Sequence, residues 1–206
     1  ADGDLDLYVA NDSVENRFWR NAGDGTFEDD TLLTGLGVNG LGKTEAGMGL
    51  AAGDVDGDLD LDLVVTNFDD ESNTLYLNEG GEYFVDASAR SGLEEKSRLP
   101  VGFATELQDF DLDGDLDLAV ANGHIIDNIP LYHDGKTWAQ PAHLFVGEGG
   151  RFRFDEEAAG DLALAPYVGR GLYAGDLNGD GSSDWVLTRC GGAARVLFNT
   201  HSGGLC

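Results

Sequence analysis

Asp109-Phe110-Asp111-Leu112-Asp113-Gly114-Asp115-Leu116-Asp117 runs directly into the apolar stretch Leu118-Ala119-Val120. Counted from Asp109, carboxylates stand at positions 1, 3, 5 and 9, and a glycine stands at position 6, where the chain must turn sharply. This pattern wraps oxygens around a hard cation, and Ca2+ is the expected occupant. Carboxylates held about 5 Å apart repel by roughly 3 kcal/mol per pair at an effective dielectric of about 20. The loop has no Lys or Arg, so such a cluster is expected to fold tightly only around a bound positive charge.

The pattern recurs along the chain. A second loop supplies Asp54, Asp56, Asp58 and Asp62, and a fourth supplies Asp176, Asn178, Asp180 and Asp184. At the start, Asp2, Asp4 and Asp6 align with positions 5, 7 and 9 of a partial loop that lacks positions 1 and 3. Position 7 is expected to offer a backbone carbonyl, from Asp4, Asp60, Asp115 and Ser182. The reading is therefore three complete calcium loops and one partial loop.

With Asp6, Asp62, Asp117 and Asp184 as the ninth position, the repeats are spaced by 56, 55 and 67 residues. A fixed period of this kind decides the fold before any single motif does. Each ninth aspartate is followed by a run of strand length: Leu7-Tyr8-Val9, Leu63-Val64-Val65, Leu118-Ala119-Val120 and Trp185-Val186-Leu187. Five residues beyond the aspartate stands Asn11, Asn67 or Asn122, with Arg189 breaking the column in the last copy. A third strand is expected at 18–20, 75–77, 144–146 and 196–198, and a fourth around Phe27, Phe84 and Phe152 to Phe154. The first strand lies ahead of the loop, where Met48, Leu50 and Ala52, and then Val101, Phe103, Thr105 and Leu107, alternate with their neighbours.

Each full copy thus reads as four short antiparallel strands with the metal loop joining the first to the second. Such a sheet cannot bury both faces alone, and stacking copies around an axis solves that problem. The expected fold is an all-β β-propeller spanning a single region, 1–206, with repeats near 1–46, 47–100, 101–168 and 169–206. The count is three strands of a first blade, two whole blades and three strands of a last one, about three and a half blades. The chain's own two ends, a larger propeller or another chain would complete the ring.

The runs 54–62 and 109–117, with the strands ending at Asn67 and Asn122, resemble FG-GAP/VCBS repeats, the calcium-binding blades of integrin-alpha-type propellers. The segments Asn16 to Phe27, Gly47-Met48-Gly49, Asn122-Gly123-His124-Ile125 and Gly169-Arg170-Gly171 are similar, more narrowly, to the ASPIC/UnbV (cartilage acidic protein) family. The resemblance implies a secreted or cell-surface, seven-bladed propeller used for adhesion or recognition, usually without catalysis. There are departures. Leu59 replaces glycine at position 6 of the second loop, Asn178 replaces an aspartate in the fourth, and the small domain that commonly follows such propellers is not present. Leu59 is expected to adopt a glycine-like backbone at a cost of about 1 kcal/mol or more. The fourth loop, one charge poorer, is expected to bind more weakly, and the first to bind poorly without ligands from elsewhere.

Composition narrows the partners. The net charge is −27, and 16 of the 39 acidic residues lie in the four loop windows. A nucleic-acid backbone or an anionic membrane surface would be repelled, and no stretch reaches the roughly 20 apolar residues of a membrane span. Cys190 and Cys206 are the only cysteines, and a bridge between them, the favoured reading, would contribute about 3 kcal/mol. Asn11-Asp12-Ser13 is a glycosylation sequon, meaningful if the chain is secreted from a eukaryotic cell.

Two look-alikes fail on context. An EF-hand loop ends in Glu at position 12 between helices, whereas position 12 here is Val65, Val120 or Leu187 inside a strand. Gly37 to Thr44 matches the phosphate-loop pattern letter for letter, and Gly35 to Gly40 the dinucleotide pattern. The glycine-rich continuation cannot make the helix that both require.

The extra residues of the third interval fall between Asn122 and His143 and emerge at the end of the blade opposite the metal loop. This insertion is a candidate contact surface for a protein or glycan. His124, His133 and His143 have no ligand-like spacing, and His124 is expected to bond to the backbone of its own turn. No nucleophile elbow, zinc-protease helix or cysteine and histidine pairing is present, so no enzyme is expected. The expected function is an extracellular, calcium-stabilised recognition or adhesion module, with a structural subunit capable of self-assembly, or a polysaccharide-acting enzyme, as alternatives.

Overall fold

The computed structural model describes residues 3–163 and 166–200. Its strands form four antiparallel sheets of three, four, four and three strands, the division that the repeats predict. The first sheet holds β1 (Leu7–Val9), β2 (Arg17–Asn21) and β3 (Phe27–Asp29). The second holds β4 (Leu50–Gly53), β5 (Asp62–Val65), β6 (Thr74–Glu79) and β7 (Tyr83–Asp86). The third holds β8 (Gly102–Gln108), β9 (Asp117–Asn122), β10 (His143–Glu148) and β11 (Arg151–Phe154). The fourth holds β12 (Gly169–Gly175), β13 (Asp184–Arg189) and β14 (Arg195–Leu197). Strands adjacent in sequence are adjacent in every sheet, as propeller blades require.

Strand alternation assigns the two faces of each blade. Leu63, Val65 and Tyr76 of the second blade pack on Phe18 and Tyr8 of the first. Val64, Leu75 and Leu77, on the opposite face, pack on Leu118, Val120 and Phe145 of the third. Ala119 and Leu144 then meet Trp185 and Leu187 of the fourth. Both faces of an inner blade are therefore apolar, and the core is a series of interleaved layers.

The first strands β4, β8 and β12 lie side by side where neighbouring blades meet. Their closeness demands glycine: a Cβ on Gly49 would lie 3.0 Å from the Cα of Ala104. Thr66 bridges the second and third blades there, accepting from the Gly49 N–H and donating to the Gly102 carbonyl.

Short helices in the connections are the main feature outside the all-β expectation: α1 (Thr31–Thr34), α2 (Ser88–Ser91) and α3 (Glu94–Ser97). Their hydroxyls pair third-strand N–H groups that lie past the end of the paired fourth strand. Thr31 Oγ1 accepts the Phe18 N–H and donates to Asp29; Ser88 Oγ accepts the Leu75 N–H and donates to Asp86. Gly37 to Thr44 leads through extended chain into β4 with no helix after it, so the phosphate-loop match is a coincidence of letters.

The asparagine column has a common task at the end of the blades opposite the metal loops. The side-chain amide of Asn11, Asn67 or Asn122 donates to the carbonyl of Glu15, Ser72 or Pro141, just ahead of the third strand.

Candidate metal centre

The loops 54–62, 109–117 and 176–184 connect first and second strands and share one backbone path. The carboxylate at position 1 gathers amide hydrogens from within its own loop. Asp54 accepts from Gly57, Asp58 and Leu59, Asp109 from Asp113 and Gly114, and Asp176 from Gly179, Asp180 and Gly181. The side chain at position 5 accepts the N–H at position 7: Asp58 from Asp60, Asp113 from Asp115, and Asp180 from Ser182. These bonds hold the backbone of Asp60, Asp115 and Ser182, the position-7 residues, within the loop turn.

This path needs two left-handed residues, at positions 4 and 6. They are Gly57 and Leu59 (φ 80° and 76°), Leu112 and Gly114 (61° and 102°), and Gly179 and Gly181 (80° and 90°). Leu59 adopts the glycine conformation as expected. Leu112 does the same at position 4, a strained site that the sequence reading overlooked by asking for glycine only at position 6.

Position 9 is a buried clasp. One oxygen of Asp62, Asp117 and Asp184 accepts the N–H at position 2, from Val55, Phe110 and Leu177 at 2.8, 2.9 and 2.9 Å. The other oxygen accepts a backbone N–H beyond the third strand or late within it, from Asn78, Gly147 and Asn199. In the first copy Asp6 is exposed but accepts the Asn21 N–H in the same way. Loop, second strand and third strand are thus tied through one carboxylate.

Ligand atoms of Asp54, Asp56 and Asp58 come within 4.8 Å of one another, as do those of Asp109, Asp111 and Asp117. Positions 1, 3 and 5 therefore meet in the second loop, and positions 1, 3 and 9 in the third. The side chains of Asp60, Asp62, Asp113 and Asp115 stand outside these groups. In the fourth loop the Asn178 amide donates to Asp180, and no three acidic side chains there converge among the described residues. Asp4 is exposed, and Asp2 lies outside the described residues. Cys190 is exposed, while Cys206 lies outside the described residues, and with it the expected bridge.

Crowding shows in the acidities. Burial, with added repulsion from Asp56 and Asp58, pushes the Asp62 carboxyl up to about 6 against its two amide bonds. Asp117 is raised to about 6 for the same reasons, and Asp56 and Asp111 are also raised by burial and neighbouring carboxylates. Clustered carboxylates behave this way without a counter-charge, and a divalent cation reverses the effect. An all-oxygen donor set with short spacing suits Ca2+ better than a transition metal.

At the opposite end, the insertion is anchored to the second blade. Lys136 bonds to Asp69 and Asp70 at 2.7 Å, and buried His124 faces Asp69 through Nε2. His124 Nδ1 accepts the Ile126 N–H, the local backbone bond expected of it. His143 is buried on β10 between Phe145 and Phe154, and His133 is exposed, so the three histidines form no site together. Leu131 and Tyr132 are exposed at the insertion's tip, with Ile125 and Trp138 nearer its base.

The FG-GAP-like repeat model matches residues 1–65 and 54–120, which spans the first two loops and reaches the end of the third. The chain belongs to the FG-GAP-like repeat family. Among curated proteins, none matches it. A solved structure describing how an Agrocybe aegerita lectin recognises non-reducing terminal N-acetylglucosamine is similar at 19% identity and a TM-score of 0.49. The alignment covers 98% of this chain and 50% of that one, so the chain spans about half the length of that neighbour.

Proposed function

We propose that this FG-GAP-like repeat chain is a calcium-stabilised recognition module of the extracellular space, and not an enzyme. Ca2+ would sit in the loops 54–62, 109–117 and 176–184, holding the paired strands of each blade, while the insertion at the opposite end meets a protein or glycan. The observation that carries the reading is the convergence of three carboxylates in each of two loops, on a backbone path repeated a third time. Such convergence is unfavourable by several kcal/mol unless a cation offsets it. Millimolar extracellular calcium suits weak, surface-exposed oxygen cages of this kind. The exposed Leu131, Tyr132 and Trp138 supply apolar contact area on an anchored loop, which is how recognition surfaces are commonly built. The narrower likeness to ASPIC/UnbV propellers, carried by Gly47 to Gly49 and Asn122 to Ile125, agrees with a secreted setting.

Equilibrium dialysis of chelator-treated protein against calcium tests the metal reading. Binding should saturate near three ions per chain, with Asp56→Asn and Asp111→Asn each removing or weakening one. Binding of no calcium at millimolar concentration would sink it. For recognition, Trp138→Ala should weaken whatever glycan or protein the intact chain captures on an array without altering calcium binding. Capture that tracks the metal loops and ignores Trp138 would contradict the placement.

A further inference from the structure

The loops 54–62 and 109–117 belong to different blades, yet one turn of backbone rests on both. That turn is Glu148-Gly149-Gly150-Arg151, which joins β10 to β11 in the third blade. Gly149 donates its N–H to Asp115 Oδ2 at 3.2 Å, in the loop of its own blade. The next residue, Gly150, donates to the Val55 carbonyl at 3.1 Å, in the loop of the preceding blade. It also lies against a candidate ligand, since a Cβ on Gly150 would come within 2.9 Å of the Asp56 Cβ. A second contact joins the two loops directly: Leu116 Cδ1 would lie 2.6 Å from a Cβ on Gly53, the residue before Asp54.

Each side of this bridge ends at a buried clasp. Val55, whose carbonyl holds Gly150, gives its own N–H to Asp62, and Gly147, just ahead of the turn, gives its N–H to Asp117. The two ninth-position carboxylates are therefore connected through Val55, Gly150 and Gly147 by hydrogen bonds and a short stretch of backbone, with no flexible side chain on the way. A loop that opens moves one seat of the turn, and a loop that closes fixes it.

We infer that the second and third loops bind calcium cooperatively, with the Gly149-Gly150 turn carrying the coupling between them. The inference rests on the calcium reading above and adds how the sites regulate one another. Without an ion, the carboxylates that converge in each loop repel and push it open, so the turn loses one of its two seats. A filled loop orders the turn, and the neighbouring loop then closes on its own ion from backbone already in place. Such coupling is reciprocal: each site changes the affinity of the other by the same factor, commonly about five-fold or more. The second and third blades would thus stiffen together over a narrow range of calcium.

Hydrogen exchange of the whole chain, followed by mass spectrometry across a calcium titration, reads each loop separately. Protection of 54–62 and of 109–117 should rise together, and more steeply than binding at a single site allows. Asp111→Asn should move the midpoint for 54–62 to higher calcium by about five-fold or more, and Asp56→Asn should do the same to 109–117. Gly150→Ala leaves the carboxylates of both loops in place but presses a methyl group onto Asp56. In that background Asp111→Asn should no longer move the midpoint for 54–62. Should Gly150→Ala fail to fold, the two asparagine variants still decide the outcome. Protection of both loops by calcium, with midpoints indifferent to substitution in the other loop, would overturn the coupling and leave the calcium sites standing. No protection of either loop at millimolar calcium would remove the sites and the coupling together.

Discussion

Asp117 holds the backbone N–H of Phe110 at 2.9 Å with one carboxylate oxygen, and with the other it holds Gly147 at 2.8 Å on the third strand. The bond to position 2 recurs in the second and fourth loops, so the ninth aspartate is a structural clasp as well as a member of the acidic loop. Asp117→Ala leaves two buried N–H groups without partners, at about 1–3 kcal/mol each. Chemical denaturation in chelator should show a loss of about 2–5 kcal/mol. An effect seen only when calcium is present would mean that the residue acts solely as a ligand.

Left-handed leucines should be improvable. Leu59 and Leu112 pay about 1–2 kcal/mol for positive φ, and glycine pays back part of that gain in unfolded-chain entropy. Leu59→Gly and Leu112→Gly should each raise stability by about 0.5–1 kcal/mol in urea titrations without calcium. Both leucine side chains are exposed, so little packing is lost.

Gly147 should not tolerate a methyl group. A Cβ there would lie 2.2 Å from the Leu116 carbonyl oxygen, a backbone atom that cannot swing aside. Gly147→Ala should cost about 1–3 kcal/mol by overpacking, read from the thermal midpoint. It should also loosen the clasp to Asp117, because the displaced N–H is the one that carboxylate holds.

His143 sets a pH dependence. Burial among Phe145 and Phe154, with a smaller push from Lys96, lowers its pKa from 6.5 to about 4. Between those values the unfolded chain takes up a proton that the folded chain refuses, so the contribution of this ring falls as pH drops from about 6.5 to about 4, against Asp62 and Asp117, whose raised carboxyls take up protons in the fold over the same range. The integrated effect is about 3 kcal/mol. The stability of wild type relative to His143→Phe should therefore fall by about 3 kcal/mol across that window, and a difference that stays constant with pH would show that the ring takes up its proton as readily in the fold as in the unfolded chain.

Much of this was legible because periodicity 2 in short strands and a nine-residue loop leave few alternatives. The runs beginning at Leu7, Leu63, Leu118 and Trp185 fall within second strands, and the strand count per sheet follows from them. Leu59 was readable as strained because glycine fills its column elsewhere. Leu112 was missed because position 4 carries glycine in the second and fourth loops and leucine in the third, a signal visible only when both turn positions are compared. The pairing of His124 and Lys136 with Asp69 spans 55 and 67 residues, and no local pattern announces such contacts. The hydroxyl ties through Thr31 and Ser88 are written as Asp29-x-Thr31 and Asp86-x-Ser88, a cue that strand-centred reading passes over.

The most direct test of the account is thermal unfolding of the chain in millimolar calcium and in chelator, with magnesium as a control. Ions bound only to the folded form add about 2.7 kcal/mol per site at a hundredfold excess over the dissociation constant. The melting temperature should rise strongly with calcium, less so in Asp56→Asn and in Asp111→Asn, and little with magnesium, which demands a rigid octahedron. Identical melting curves in calcium and chelator would contradict it.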